Sequence, residues 1–197
     1  MGETAVVAMT AGEFFAWQET QSDLYELAGG IPLQMMTGAS NRHDRITVNI
    51  IVEADSRSRG TTSRPTTKNT CIKISETQIR RPDVAIDCGP IIDKSYIAND
   101  PRAVFEVLSP STRLFDQARK LEEYKSVPSL LYIVLVDPDS PALIVFARQP
   151  DGGWNSRTIE GLEAEADFSA LGITLPLTGI YRDLTFRPKP VGLSHSK

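Results

Sequence analysis

The chain has 197 residues, 41% of them hydrophobic and 23% charged, which is enough sequence to bury the core of one folded domain. Its longest uninterrupted apolar run, residues 130–136, is far below the ~20 residues that cross a bilayer, and its start lacks the basic region of a signal peptide, so we expect no membrane span and no export. The net charge of −4 argues against a protein that coats nucleic acid by bulk electrostatics, and two cysteines without a CxxC pair are typical of a reducing cytoplasm.

The first predicted elements are a short helix and a β-hairpin. Thr10 and Glu13 have the three-residue spacing of a capping box, which predicts a helix over 10–20. Gly29-Gly30 supplies the positive φ that a tight turn requires. The apolar segments on its two sides are therefore expected to pair as the strands of a hairpin, 24–28 and 33–36.

A second helix is predicted to begin at Ser40 or Asn41, since both residue types are good N-caps. Its apolar residues recur at helical spacing: Ile46, Val48, Ile50, Ile51, Val52 and Ala54. This pattern predicts a helix that is apolar over much of its surface and packs on a sheet.

A basic segment follows this helix. Residues 56–81 carry seven basic side chains and a single acidic one, Glu76, in a chain that is acidic overall. Such a segment is either a solvated edge with a charged loop or a strip that contacts the phosphates of nucleic acid. The candidates for phosphate contact are Arg57, Arg59, Arg64 and Lys68.

The second half of the chain predicts a mixed sheet. After a loop at 60–67, three extended segments are expected to be neighbours in one sheet: 69–74, 83–88 and 103–108. Residues 109–112 then cap a helix that runs to about Lys125, and the apolar strand 130–136 follows, paired with 142–147. Strand, helix and strand in that order require a crossover.

The predicted fold class is therefore α/β (α+β), with a mixed central sheet flanked by helices. Residues 1–186 are expected to form a single domain. Residues 187–197, rich in Pro, Ser and Lys, are expected to be a disordered tail.

Two acidic residues stand out because strands would bury them. Glu106 lies inside the segment 103–108, where an ionised carboxylate persists only if it is paired, hydrogen-bonded or bound to a metal. Asp83 begins the segment 83–88. If these two strands are adjacent, ~4.8 Å apart, both carboxylates can converge on one hard cation such as Mg²⁺.

Each of these acids also has a simpler explanation. Glu106 would face water if its strand lay at the edge of the sheet, or it would pair with an arginine such as Arg102. A Pro-Asp pair such as the one at Asp83 usually marks a turn, and Asp87 is a rival acid on the same strand.

Lys120 is the candidate cation beside these acids. It lies at the border of the apolar face of the predicted helix, next to Tyr124, and can point back towards the sheet. The alternative is an ordinary (i, i+4) pair with Asp116 on a solvated helix face.

Several short motifs stand in order along the chain: Tyr25-Glu26-Leu27, His43 at the head of a helix, Arg81-Pro82-Asp83-Val84, the run from Glu106 to Thr112, Asp116 with Lys120 and Tyr124, and Val136-Asp137-Pro138. Together they resemble the Uma2 family of restriction-endonuclease-like proteins, formerly a domain of unknown function. The resemblance runs from about Met9 to Phe186, which is nearly the whole chain.

The resemblance implies a PD-(D/E)XK nuclease fold and metal-dependent hydrolysis of phosphodiester bonds. Asp83 and Glu106 would be the ligands of Mg²⁺ or Mn²⁺. The partner would be nucleic acid, with DNA as the expected substrate. A homodimer would let two sites, each cutting one strand, address both strands of a duplex.

The resemblance also assigns the remaining catalytic residues. The superfamily lysine two residues after the second acid is replaced here by Leu108, so its role would fall to Lys120. Glu26 matches an acid that such folds often carry on an early element, and His43 matches the histidine of the family. A core or capping role for His43 is the alternative.

A catalytically weak protein that keeps the nuclease fold and binds nucleic acid or acts as a scaffold is the second hypothesis. The Asp-Gly-Glu of the family is replaced by Gly29-Gly30-Ile31, which removes two acids near the expected site. A serine or cysteine hydrolase is not favoured, because no G-x-S-x-G motif is present and one of the two histidines, His195, lies in the tail. Dinucleotide and P-loop motifs are also missing from the sequence.

Overall fold

The computed structural model describes residues 8–35, 40–109 and 114–186. The predicted tail 187–197 and the predicted capping residues 110–112 lie outside these ranges. No helix within them is long and apolar enough to span a membrane.

The described residues alternate between short strands and a few helices. The helices are α1 (Ala11–Gln18), α2 (Asn41–Ser58), α3 (Leu114–Lys125) and α4 (Leu177–Ile180). The strands are β1 (Tyr25–Ala28), β2 (Ile31–Gln34), β3 (Arg64–Thr67), β4 (Ile72–Ser75), β5 (Gln78–Arg80), β6 (Val84–Asp87), β7 (Pro101–Val107), β8 (Tyr132–Asp137), β9 (Ala142–Arg148), β10 (Trp154–Glu160), β11 (Glu165–Phe168) and β12 (Ile173–Pro176).

The N-terminal helix and hairpin are confirmed. The Thr10 side chain accepts a hydrogen bond from the Glu13 backbone, and the Glu13 carboxylate accepts one from the Thr10 N–H at 2.8 Å, so the capping box is complete. β1 and β2 pair antiparallel around Gly29 and Gly30, whose φ angles are 59° and 80°. β2 begins at Ile31, two residues earlier than expected.

The strands form a central sheet of six strands, in the order β10-β9-β8-β7-β6-β3, and a smaller sheet in the order β2-β1-β5-β4. β11 and β12 pair antiparallel as a two-stranded sheet of their own. Within the central sheet β7 and β8 are parallel, and the other neighbouring pairs are antiparallel. α3 connects β7 to β8, as a parallel pair requires. The mixed sheet and its crossover are therefore confirmed.

The prediction that 69–74, 83–88 and 103–108 are neighbours in one sheet is wrong for the first segment. β4 belongs to the smaller sheet, where it pairs with β5 across a short turn at residues 76–77. The place beside β6 is taken by β3, from the region expected to be a loop. β3 contains Pro65, which is tolerated because β3 is an edge strand.

The hydrophobic core lies on both faces of the central sheet. α2 packs on one face, where its Ile46, Ile50 and Ala54 are fully buried. The expectation that α2 packs on a sheet is therefore confirmed, and its apolar surface extends beyond the packed stripe to Val48 and Val52, which are 39% and 43% exposed. The other face carries the smaller cluster around Tyr124 of α3.

The hairpin turn yields a prediction about two adjacent glycines. A Cβ added at Gly29 meets nothing within 4 Å, whereas one at Gly30 would lie 2.5 Å from the Cβ of Ala8. Ala8 cannot retreat easily, because the next residue, Met9, donates its N–H to the Gly30 carbonyl. Gly29→Ala should therefore cost only the left-handed backbone conformation, ~1–2 kcal/mol.

Gly30→Ala should lose at least ~1 kcal/mol more, because the chain must also relieve the overlap. Urea denaturation of the two variants measures the difference. Equal midpoints would show that the N-terminal segment does not pack against the turn.

Candidate active site

The two acids predicted from the strand pattern lie side by side. Val84 of β6 pairs with Phe105 of β7 in an antiparallel register, which places Asp83 opposite Glu106 on neighbouring strands. The Val107 N–H donates to Asp83 Oδ2 at 2.9 Å, so the Asp83 carboxylate is bound to the end of β7. Only 16% of the Asp83 side chain and 18% of the Glu106 side chain is exposed.

The surroundings of the Glu106 carboxyl change its pKa strongly. Burial raises its pKa to about 7, and the charge of Asp83 acts in the same direction, while Lys120 acts against both. The Tyr124 hydroxyl donates to Glu106 Oε1 at 2.7 Å. Burial also raises the pKa of Tyr124 well above its ordinary value, so the phenol stays a neutral donor.

Lys120 of α3 lies between two acids. Its Nζ is 3.0 Å from Glu26 Oε1 and 3.8 Å from Glu106 Oε1. Burial opposes the charge on the amine, but the carboxylates of Glu106 and Glu26 raise the pKa of Lys120 to about 12, so it is an ammonium at neutral pH. The competing pair with Asp116 involves a side chain outside those described.

Glu26 is supported by two arginines: Arg80, the last residue of β5, and Arg81, which follows it. Arg80 Nη1 donates to Glu26 Oε2 at 2.8 Å, and the Arg81 N–H donates to Glu26 Oε1 at 3.0 Å. Burial would raise the pKa of Glu26, yet the charges of Lys120 and Arg80 hold it below its ordinary value. Glu26 is therefore a buried carboxylate that stays ionised.

Arg80 is a site residue that the sequence analysis counted only within the basic segment. Its side chain is 1% exposed and binds both Glu26 and Glu123 of α3. It links the smaller sheet to the helix that carries Lys120. The signal that could have revealed it is its place between a buried strand and the Pro-Asp pair, where a cation needs a carboxylate partner.

His43 also reaches the acids. Ser40 is the N-cap of α2, and its Oγ accepts the His43 N–H at 3.2 Å, which starts the helix beside β6. His43 Nε2 lies 3.2 Å from Asp83 Oδ2. The hydrogen bond to Asp83 raises the pKa of His43 above its ordinary value, despite partial burial.

The structure thus brings the predicted catalytic residues to one cleft of about 540 Å³, lined among others by Glu26, His43, Asp83, Glu106 and Lys120. The alternatives for Glu106 do not hold: Arg102 pairs with Asp100, and β7 lies inside the sheet. The rival acid Asp87 is engaged elsewhere, by Arg64 at 3.0 Å and by the Asp100 N–H at 2.7 Å.

The predicted phosphate strip is not gathered at this cleft. Arg57 binds Glu53 one turn earlier on α2, Arg59 lies 3.9 Å from Asp55, and Arg64 binds Asp87. Arg57 is fourteen residues beyond His43, about 21 Å along the helix axis. Lys68 is the member of the strip that lines the cleft.

The donor set fits a hard divalent cation. Among the described residues there is no cluster of three or more His, Cys, Asp or Glu side chains that could hold a metal. Mg²⁺ needs no such cluster, since it is commonly bound by one or two carboxylates with water and substrate phosphate. Asp83 Oδ1 and Glu106 Oε2 accept no hydrogen bond from any residue that the structure describes, which leaves two carboxylate oxygens for a cation.

Comparisons with known proteins agree with this architecture. The family model of Uma2, described as "Putative restriction endonuclease", matches residues 11–178. Two proteins of Synechocystis sp. (strain ATCC 27184 / PCC 6803 / Kazusa) are similar along most of their length. The uncharacterized protein slr1290 is 30% identical over 88% of this chain and 92% of its own, and the uncharacterized protein sll1609 is 27% identical over 84% and 95%.

A solved structure shares the fold. It is a crystal structure described as "a putative nuclease belonging to DUF820" from Anabaena variabilis ATCC 29413. It superposes with a TM-score of 0.69 over 88% of this chain and 97% of its own, at 16% sequence identity. The similarity shows that the two proteins share the mixed sheet and its flanking helices.

The buried arginine generates a stability prediction. Arg80→Met should destabilise the protein by about 3–5 kcal/mol, because Glu26 and Glu123 lose a shared buried cation. Arg59→Met is the matched control, since Arg59 is 79% exposed and its pair with Asp55 is worth less than ~1 kcal/mol. Chemical denaturation of both variants measures the costs. Similar small losses would show that Glu26 and Glu123 do not depend on Arg80.

Proposed function

Because the chain belongs to the Uma2 family, we propose that it is a metal-dependent endonuclease that hydrolyses phosphodiester bonds of nucleic acid, with DNA as the substrate. The observation that carries the proposal is the meeting of Asp83, Glu106 and Lys120 in one cleft. Two carboxylates and a cation at a recessed site are the groups that metal-assisted phosphoryl chemistry uses.

Asp83 and Glu106 would hold Mg²⁺ or Mn²⁺ through Asp83 Oδ1 and Glu106 Oε2, to which no described residue donates a hydrogen bond. Such an ion supplies a lowered pKa for a bound water and compensates charge on the phosphate oxygens. The Val107 N–H and the Tyr124 hydroxyl occupy the opposite oxygens of the two carboxylates. Each carboxylate is therefore held by a donor on one oxygen, and its other oxygen accepts no hydrogen bond from the described residues.

Lys120 would stabilise the negative charge that develops on the scissile phosphate, or orient the attacking water. Its ammonium is retained by Glu26 at 3.0 Å and remains beyond hydrogen-bond distance of Glu106 at 3.8 Å. It is thus charged and close to the acids without neutralising Glu106 in a tight pair. His43, hydrogen-bonded to Asp83, would hold that carboxylate in place.

The second candidate function is a nuclease-fold protein with weak or no catalysis that binds nucleic acid or acts as a scaffold. It is favoured by Gly29 and Ile31, which lie at the hairpin turn and the start of β2, where the family carries two acids. A homodimer would serve the first function, since one cleft addresses one strand of a duplex.

Loss of the acids tests the two functions against each other. We expect the wild-type protein to nick supercoiled plasmid with Mg²⁺ or Mn²⁺ but not with EDTA, and Asp83→Asn and Glu106→Gln to lose this activity. Linear duplexes and single strands of DNA and RNA in the same assay identify the substrate. Binding of nucleic acid without cleavage under any metal condition would favour the second candidate, and cleavage by both variants would remove the acids from the site.

Lys120→Met should leave the fold nearly intact and reduce turnover by roughly 10²-fold or more, the loss seen when one transition-state donor is removed. Lys125→Met is the matched control on the same helix, because Lys125 pairs with Glu122 at 2.7 Å and lies outside the cleft lining. Initial rates of plasmid nicking measure the effect. Equal activity of the two variants would show that no catalytic lysine lies on α3.

The basic strip is tested by the salt dependence of binding. Each duplex phosphate contact contributes a slope of about −0.9 to log K against log salt concentration. Lys68→Gln and Arg57→Gln/Arg59→Gln should each flatten the slope, while Arg64 is kept because it compensates buried Asp87. A wild-type slope in the double variant would assign Arg57 and Arg59 to a solvated helix end.

A further inference from the structure

We propose that Tyr124 is a positioning residue for the cation site: its hydroxyl fixes the orientation of the Glu106 carboxylate so that the second carboxylate oxygen stays available to a divalent cation. The inference rests on the proposed function and concerns a residue that neither the sequence motifs nor the catalytic assignment above uses for chemistry.

The contact itself is short and well shielded. The Tyr124 hydroxyl donates to Glu106 Oε1 at 2.7 Å, and the tyrosine is 1% exposed. A buried phenol requires a hydrogen-bond partner, and a carboxylate is a stronger acceptor than a neutral oxygen. The same bond therefore satisfies the phenol and restrains the acid.

The position of the phenol is set by packing rather than by the acid. Tyr124 belongs to the hydrophobic cluster beneath α3, together with Ala85, Val104, Leu130 and Ile133. These residues come from β6, β7, β8 and the segment that precedes β8. A ring held by several elements does not follow a moving carboxylate, so the carboxylate must follow the ring.

The position of Lys120 explains why Glu106 needs this restraint. Lys120 and Tyr124 are one helical turn apart on α3, and both approach the same oxygen, Glu106 Oε1. The hydroxyl holds that oxygen at 2.7 Å while the ammonium remains at 3.8 Å. Without the hydroxyl, the Glu106 carboxylate can turn towards the ammonium that Glu26 holds, and its second oxygen then turns away from a cation.

A tyrosine that only packs would behave differently from one that positions the acid. The hydrophobic ring contributes to stability in either case, but only a positioning role makes cation affinity depend on the hydroxyl. Removing a group that orients a metal ligand typically weakens metal binding by about 10- to 100-fold. The dissociation constant of the cation therefore separates the two roles without any measurement of cleavage.

Isothermal titration of the full chain with Mn²⁺, in the absence of nucleic acid, provides the test. Tyr124→Phe should bind at least ~10-fold more weakly than the wild type. Tyr132→Phe is the matched control, since Tyr132 is also buried but its hydroxyl accepts the Ala170 N–H on the other face of the sheet. It should bind with the wild-type constant, and both variants should show native circular dichroism at the titration temperature.

A second measurement keeps the tyrosine ring and its fold. With 3-fluorotyrosine at position 124 alone, the ¹⁹F resonance should shift as Mg²⁺ is added and should reach a plateau as the cation site fills. The resonance of 3-fluorotyrosine at position 132 should not shift. A wild-type constant in Tyr124→Phe, or a silent resonance at position 124, overturns the positioning role alone. A wild-type protein that binds neither cation overturns the proposed function and this inference together.

Discussion

The central constraint on this structure is the cost of holding two carboxylates side by side below the surface. Asp83 and Glu106 repel each other and lose hydration, and burial together with the charge of Asp83 raises the pKa of Glu106 to about 7. The Val107 N–H donates a hydrogen bond to Asp83 and the Tyr124 hydroxyl donates one to Glu106, while the ammonium of Lys120 compensates part of the negative charge. That ammonium is itself buried and needs Glu26, which in turn needs Arg80. Each charge is therefore supported by the next.

This chain of charges explains how the two sheets and α3 are joined. The parallel pair β7 and β8 requires a crossover, and the crossover helix α3 returns over the sheet face that carries Glu106. Residues one turn apart on α3 then meet different partners: Lys120 meets the acids, and Glu123 meets Arg80. The smaller sheet contributes Glu26 and Arg80 from adjacent strands. The cleft thus forms where charged side chains of the central sheet, the smaller sheet and α3 compensate one another.

The parts of this arrangement that depend on local pattern could be predicted from the amino-acid sequence. The mixed sheet, the crossover and the adjacency of Asp83 and Glu106 follow from strand runs and from one capped helix, and the position of Lys120 follows from helical periodicity. Long-range pairing could not be read in this way. Residues 64–67 resemble a loop because Pro and Thr are common in turns, yet an edge strand accepts both. The partners of Arg80 come from residues 54 and 43 positions away, beyond the reach of any periodicity.

The stability of the fold does not by itself explain this network of buried charges. Replacing a buried ion pair by apolar residues of similar volume is often neutral or stabilising, whereas removing one partner is costly. The network from Glu123 to Glu106 places five charged side chains largely below the surface: Glu123, Arg80, Glu26, Lys120 and Glu106. The network is therefore better explained by a need for an ionised carboxylate and a nearby ammonium at the floor of the cleft than by its contribution to stability. The same holds for Tyr124, because a buried phenylalanine would fill nearly the same volume but would leave Glu106 without the hydroxyl that donates to it.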